Sequence, residues 1–329
     1  MTVEAGTQPR KLSDRIYDFL SRQYALLKWI HPLLSYKRHH LKLSKLGQLQ
    51  KLQRVNNFPS ERVTFVADNL KLIGDLHRGN DEFPIIILLH GSSIFGRKIP
   101  LIRALAKEFQ ALGYTVLTFD LRGHGESDKP QDYTSPSSFD FGRDVVAAID
   151  DLERRINLKN RRLYVVGHSF GGGTALAAQA QDKRIEKVVV FGPPRRLSER
   201  FLNPTAREKA KLLFRWQLDM QLNQPLTFTL WKPAIESLNI ENYAEQFSQP
   251  GHIPLFIIDA EKEPPEDLAF LRSFCQQMTP PGEYWTVPET DHYLDSGFLG
   301  IIPYYDRQIT TTFVNRIDRW FKEVDTRSD

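Results

Sequence analysis

The sequence predicts an α/β fold, a mostly parallel sheet of eight strands with helices on both faces. Three observations carry that reading. Short β-rich apolar runs alternate with helix-period segments from residue 62 onward, the order that a parallel sheet with crossover helices requires. Pro84–Leu89, PIIILL, is apolar throughout, as a strand covered on both faces must be. The run Leu163–Val166 stops at Gly167, and a helix-forming run starts beyond Gly173, so a strand feeds a helix through a tight glycine turn.

Residues 1–60 stand outside this rhythm. They hold eleven Lys and Arg against Glu4, Asp14 and Asp18, a net of +8, so the chain's total of +4 leaves −4 for everything after residue 60. Residues 1–10 read as disordered. Apolar residues then recur at Leu12, Ile16, Phe19, Leu20, Leu27 and Ile30, interrupted at Pro32. A second series follows at Leu41, Leu46, Leu49, Leu52 and Val55 among Lys37, Arg38, Lys42, Lys45 and Lys51. Two basic amphipathic helices are expected. Their stripes either pack on the body or on another subunit, or lie through residues 11–55 on an anionic membrane surface. There each basic residue near the headgroups contributes on the order of 1 kcal/mol. The basic charge belongs to this appendage and not to the body, which argues against nucleic-acid binding.

Composition bounds the compartment. No stretch approaches the ~20 apolar residues that a spanning helix needs. The opening residues, MTVEAGTQPRKLSD, lack the apolar core and cleavage site of a secretion signal. One cysteine, Cys275, excludes an intrachain disulfide. It reads as a small buried apolar side chain, since no glycine turn surrounds it. A cytoplasmic protein is expected, peripheral at a membrane surface on the second reading of the basic helices. Its oligomeric state is left open.

From residue 61 the elements follow in order. Arg62–Ala67 and Lys71–His77 read as a strand pair turning at Asp68-Asn69. After the strand at 84–89 comes His90-Gly91-Ser92-Ser93, then a helix over 99–112 stopped by Gly113. Tyr114–Phe119 is a strand ending in Asp120-Leu121-Arg122-Gly123-His124-Gly125-Glu126-Ser127. A helix over 139–156 precedes the strand at 163–166, and Lys187–Phe191 is the next strand. Residues 195–252 read as several helices with Trp216, Trp231 and aromatic-rich turns, and offer no convincing strand. A strand at 253–259, a helix at 266–278, a strand at 283–287, the Asp291-His292 loop and a helix over 306–322 complete the chain.

Gly167-His168-Ser169-Phe170-Gly171 is a G-x-S-x-G pattern at a strand–turn–helix junction. A serine hydroxyl is a poor nucleophile and must stand clear of the sheet for a base to reach it. The sharp turn that lifts it tolerates only small flanking residues, and the helix N-terminus beyond it offers unpaired N–H groups to developing negative charge. The bland alternative makes Ser169 a helix-capping residue. In this setting the five residues resemble the nucleophile elbow of the α/β-hydrolase superfamily. The resemblance covers about residues 60–325. It implies a core of 61–194 and 253–329 and a helical cap at 195–252, with 1–60 as an extension outside the family pattern.

The superfamily order of nucleophile, acid and histidine then assigns roles. His292, in PETDHY after the last expected strand, matches the base. The other histidines fit less well: His31, His39 and His40 lie in the extension, His77 in a strand, and His90 and His124 in loops of structural role. His168 is the x of the elbow, and His252 precedes a strand. In PLFIIDAEKEPPED, aligning Ala260 with the family's small residue puts Glu263 in the acid's place; Asp259 and Glu261 remain alternatives. The turn Gly192-Pro193-Pro194-Arg195 offers no carboxylate. His90-Gly91-Ser92 resembles the H-G-x loop, so the backbone N–H groups of Ser92 and Phe170 form the expected oxyanion hole. The 120–127 segment resembles D-x-R-G-x-G-x-S, a structural brace in which Arg122 pairs across the loop.

The resemblance therefore implies a serine hydrolase that cleaves a carboxylic ester or related acyl bond through an acyl-enzyme, with a small-molecule or lipid ester as substrate. The aromatic cap and the basic arm point toward a lipophilic ester. No metal or organic cofactor is expected, because the sequence has no H-E-x-x-H, cysteine cluster or dinucleotide fingerprint in its required setting. Thioesterase, acyltransferase, lipase and peptidase activities share this machinery, as do cofactor-free perhydrolase and C–C hydrolase chemistry. A non-catalytic binding scaffold is the rival from another class, and its expected mark, a lost nucleophile or base, is absent.

Overall fold

Strands whose residues are apolar on both faces need cover on both sides, and the fold supplies it. The computed structural model describes residues 52–54, 58–130, 135–156, 158, 161–200, 205–222, 227–249, 252–278, 282–294 and 304–328. In chain order these form β1 (Leu52–Arg54), β2 (Glu61–Ala67), β3 (Leu70–His77), β4 (Ile85–Leu89), α1 (Pro100–Ala111), β5 (Thr115–Phe119), α2 (Gly142–Arg155), β6 (Leu163–His168), α3 (Phe170–Gln181) and β7 (Ile185–Phe191). Then come α4 (Leu197–Arg200), α5 (Ala206–Asp219), α6 (Phe228–Glu236), α7 (Ala244–Ser248), β8 (Leu255–Ala260), α8 (Pro265–Gln276), β9 (Glu283–Val287), β10 (Tyr304–Asp306) and α9 (Arg307–Ser328).

Eight strands form the central sheet in the order β2-β3-β5-β4-β6-β7-β8-β9. β3 pairs antiparallel with both β2 and β5, and the remaining neighbours run parallel. Asp68 and Asn69 both take positive φ, 49° and 64°, the mirror-image turn whose twist suits an antiparallel hairpin. The two faces of β4 show why the sheet is doubly covered. Ile85, Ile87 and Leu89 join one core with Val145, Ile149 and Leu152 of α2 and Leu176 of α3. Ile86 and Leu88 join the other with Ile102, Leu105 and Phe109 of α1 and Phe313, Ile317 and Phe321 of α9. Strand alternation of period two sorts successive residues between the two layers.

Several boundaries differ from the sequence reading. The helix expected from 139 begins at Gly142, because Pro136–Phe139 forms a 3₁₀ turn that the Ser135 side chain caps. Leu52, placed by its period on the second basic helix, lies instead in β1. That strand pairs antiparallel with β10, Leu52 opposite Asp306. A backbone ladder supplied from the far end of the chain outweighs a local helical preference, which is a weak prior. Residues 1–51 and Val55 lie outside the described residues, and with them the two basic helices and the membrane contact expected of them. No helix among the described residues is long and apolar enough to cross a membrane.

Within 195–252 the described residues form helices and no strand. This stretch reaches the junction of β6 and α3 through Trp216, whose ring centre lies 5.0 Å from that of Phe170, while Trp231 stands 6.2 Å behind Trp216.

The segment after β5 is braced by a buried ion pair. Arg122, 1% exposed, donates through Nε to Asp144 Oδ1 at 2.8 Å and through Nη2 to Asp68 Oδ2 at 2.9 Å. The loop is thereby tied to α2 and to the β2–β3 turn. Removing one partner of such a pair strands the other charge away from water. Asp144→Ala is therefore expected to destabilise the protein by about 3–5 kcal/mol in urea unfolding; a loss below about 1 kcal/mol would show that the brace carries no such load.

Candidate active site

β6 delivers its chain to Ser169 in a conformation that few residues adopt, φ 52° and ψ −118°. Such a backbone costs on the order of 1–3 kcal/mol and persists only where the surroundings enforce it. Two enforcing contacts are backbone hydrogen bonds: Ser169 N–H donates to Phe191 O at 2.7 Å, and Gly172 N–H donates to Ser169 O at 2.8 Å. A Cβ on Gly167 would stand 2.2 Å from Gly171 O, and one on Gly171 would stand 2.7 Å from His90 O. Neither position admits a side chain, which is the physical content of the two flanking glycines. The Ser169 side chain does not cap α3, so the capping reading of this serine does not hold.

His292 arrives from the loop after β9. Its Nδ1 lies 2.5 Å from Glu263 Oε1, a contact in which Nδ1–H donates and the carboxylate accepts. Glu263 sits three residues beyond the end of β8, its own N–H closing the turn onto Ala260 O at 3.1 Å. Burial raises the Glu263 carboxyl, but the hydrogen bond and charge of His292, helped by Arg195, outweigh it and hold the group below the ordinary carboxylate range. Asp259 is fully buried and meets Arg195 Nη2 at 3.3 Å; burial pushes its carboxyl up to about 6 against that nearby cation. Glu261 is exposed and accepts from Glu289 N–H at 2.7 Å. Of the three candidate carboxylates at or just beyond the end of β8, Glu263 is the one hydrogen-bonded to the imidazole, and Asp259 and Glu261 have other partners.

Ser169, His292, Glu263 and Ser92 line one cavity of about 500 Å³. Its apolar walls come from Phe170, Leu197, Trp216, Trp231 and Ile235. The Ser169 hydroxyl has no hydrogen-bond partner among the described residues; contacts of this kind often tighten when substrate binds. Among the described residues, the backbone N–H groups of Ser92 and Phe170 likewise have no hydrogen-bond partner. His90 braces the first of these. Its Nδ1–H donates to Gly91 O at 2.7 Å and its Nε2 accepts from Leu121 N–H at 3.1 Å.

Three participants were not visible in the sequence. His168 donates from Nε2 to the backbone O of His292 at 2.8 Å, and its ring centre lies 4.9 Å from that of His292. Burial, then the charge of His292, drive the His168 imidazole far below its ordinary value, so it stays neutral. Arg195, in the turn after β7, donates through Nη2 to Glu263 Oε2 at 3.2 Å. Asp219, at the end of α5, accepts from Ser92 Oγ at 3.0 Å. Each depends on elements converging from distant parts of the chain, and no local pattern announces it. Among the described residues, no group of three or more His, Cys, Asp or Glu side chains is arranged to hold a metal ion.

A family model described as alpha/beta hydrolase fold matches residues 84–230. An uncharacterized 31.7 kDa protein of Escherichia coli is 32% identical over 124 residues, 38% of this chain and 42% of that protein. A thiohydrolase of Aspergillus aculeatus is 30% identical over 135 residues, 41% of each chain. The matches thus span about two fifths of these relatives' length. Among solved structures, an esterase of Pyrococcus furiosus superposes with a TM-score of 0.53 at 22% identity, covering 81% of this chain and 91% of the other. That likeness is one of fold.

The short contact between Nδ1 and Glu263 separates the candidate acids without reference to turnover. A far-downfield imidazole proton is expected in the NMR spectrum at low temperature, lost in Glu263→Gln and retained in Asp259→Asn. The reverse pattern would assign the contact to Asp259.

Proposed function

The chain belongs to the α/β-hydrolase superfamily, and we propose that it hydrolyses a carboxylic ester or related acyl bond through an acyl-enzyme formed on Ser169. One observation carries the reading. A serine held in a strained strand-to-helix turn, its hydroxyl spared from capping, shares a cavity with an imidazole whose other nitrogen rests on a half-buried carboxylate.

In this reading Ser169 Oγ attacks the carbonyl carbon while His292 Nε2 takes the hydroxyl proton. Negative charge develops on the carbonyl oxygen, facing the N–H groups of Ser92 and Phe170, each donor worth on the order of 3 kcal/mol in the transition state. Glu263, held ionised, keeps the imidazole in the tautomer that leaves Nε2 free to accept, and then stabilises the imidazolium. His292 returns the proton to the leaving alcohol or thiol. Water activated by the same imidazole then attacks the acyl-enzyme and releases the acid.

The aromatic and aliphatic walls favour an apolar acyl group over a charged one, which supports a lipophilic ester. The likeness to a thiohydrolase supports a thioester as the second reading, since the same residues serve both leaving groups.

A fluorophosphonate probe is expected to label the protein at Ser169, with labelling abolished in Ser169→Ala. Esters and thioesters of graded acyl length are expected to turn over better as the acyl chain grows into the apolar walls. Labelling at another residue, or turnover that survives Ser169→Ala, would overturn the proposal.

A further inference from the structure

Behind Glu263 stands a buried cation to which the chemistry above gives no part. Arg195 is 5% exposed and sits in the turn that follows β7. Its Nη2 lies 3.2 Å from Glu263 Oε2, 3.3 Å from Asp259 Oδ2 and 3.5 Å from Asp267 Oδ2. Its Nη1 donates to Pro193 O at 3.1 Å. One guanidinium thus serves three carboxylates drawn from the end of β8, the loop beyond it and the first turn of α8.

We infer that Arg195 is a positioning residue, which clamps the far oxygen of Glu263 so that the near oxygen stays on His292 Nδ1. The inference rests on the proposed roles of Ser169, His292 and Glu263. A glutamate has one more rotatable bond than an aspartate, and a single hydrogen bond to a histidine leaves its carboxylate free to swivel. Holding both oxygens from opposite sides removes that freedom before substrate arrives, so less ordering is left for the reacting complex to supply. Asp259 and Asp267, both buried, lie beside the same Nη2 while Nη1 is anchored on Pro193 O, a two-ended hold that the single nitrogen of an ammonium would not supply. Without the cation, three carboxylates would face one another across a poorly solvated space.

The same placement has an electrostatic consequence. His292 is faced by Glu263, His168 and Tyr293, by the charge of Asp259, and by Arg195 and Asp267 behind Glu263; Asp291 precedes it in the loop. In that set Arg195 supplies the positive charge that opposes the imidazolium. Deleting it removes that charge, and Asp259, whose carboxyl already sits at about 6 beside the cation, takes up a proton in compensation.

The test compares Arg195→Met and Arg195→Lys with the wild type, following kcat and KM on the best ester of the graded series. Arg195→Met is expected to lose on the order of 100-fold, mainly in kcat. Arg195→Lys keeps the charge and loses the second anchor on Pro193 O, so kcat falls by about tenfold while KM stays in place. Should Arg195→Met fail to fold, the lysine variant alone decides. A loss confined to KM would make Arg195 a substrate contact, and unchanged kcat in Arg195→Met or in Arg195→Lys would likewise overturn the inference. Failure of the proposed chemistry shows separately, as wild-type turnover that survives Ser169→Ala.

Discussion

At Ser169 the chain turns with φ 52° between two positions that exclude any side chain, and the geometry of the cavity follows from that turn. The hydroxyl carried there makes no cap on the helix it precedes. The strain is tolerable because the turn joins two rigid parts. β6 lies in the middle of the sheet with parallel neighbours on both sides, and α3 is buried along most of its length. Local strain of a few kcal/mol is small against the apolar burial of two cores. The same turn leaves the Phe170 N–H without a partner among the described residues, so the proposed nucleophile and one proposed oxyanion donor come from a single backbone arrangement.

Charge around this point is arranged in layers. Next to Ser169 the buried histidines are held neutral by desolvation: His168 far below its ordinary value, and His90 lowered by burial. Neutral imidazoles in that layer act as hydrogen-bonding struts and place no second positive charge against His292. Beyond it the carboxylates collect on the far side of the imidazole, where they can favour its cationic form. The apolar walls from Phe170, Trp216 and Trp231 lower the effective dielectric, so each of these interactions is worth more than it would be in water.

The sheet was legible because its strands carry the signature of their environment. PIIILL is apolar on both faces and is covered on both, and Asp68-Asn69 is a turn whose residues tolerate positive φ. The gathering of Ser92, Ser169, Phe170 and His292 around one cavity was legible because elbow, loop and order along the chain point to one constellation. The choice between Glu263 and Asp259 was legible only in part: the alignment of Ala260 pointed to Glu263, but both lie at or just beyond the end of the same strand, and which one meets the imidazole depends on how the turn after β8 faces the loop after β9. Arg195 and His168 escaped for a related reason: their partners come from other strands, and a lone arginine after Gly-Pro-Pro or a histidine beside a serine carries no local mark. Leu52 misled because its apolar spacing fits a helix, while its true partner, Asp306, lies near the other end of the chain.

The most direct test of the central claim is a crystal structure of the protein phosphonylated at Ser169, a mimic of the tetrahedral intermediate. The account predicts a phosphonyl oxygen at about 2.7–3.1 Å from both the Ser92 and Phe170 N–H nitrogens, with His292 Nε2 directed at the phosphonate and Nδ1 still on Glu263. An adduct whose oxygen turns away from those two amides, or a His292 ring withdrawn from it, would contradict the account.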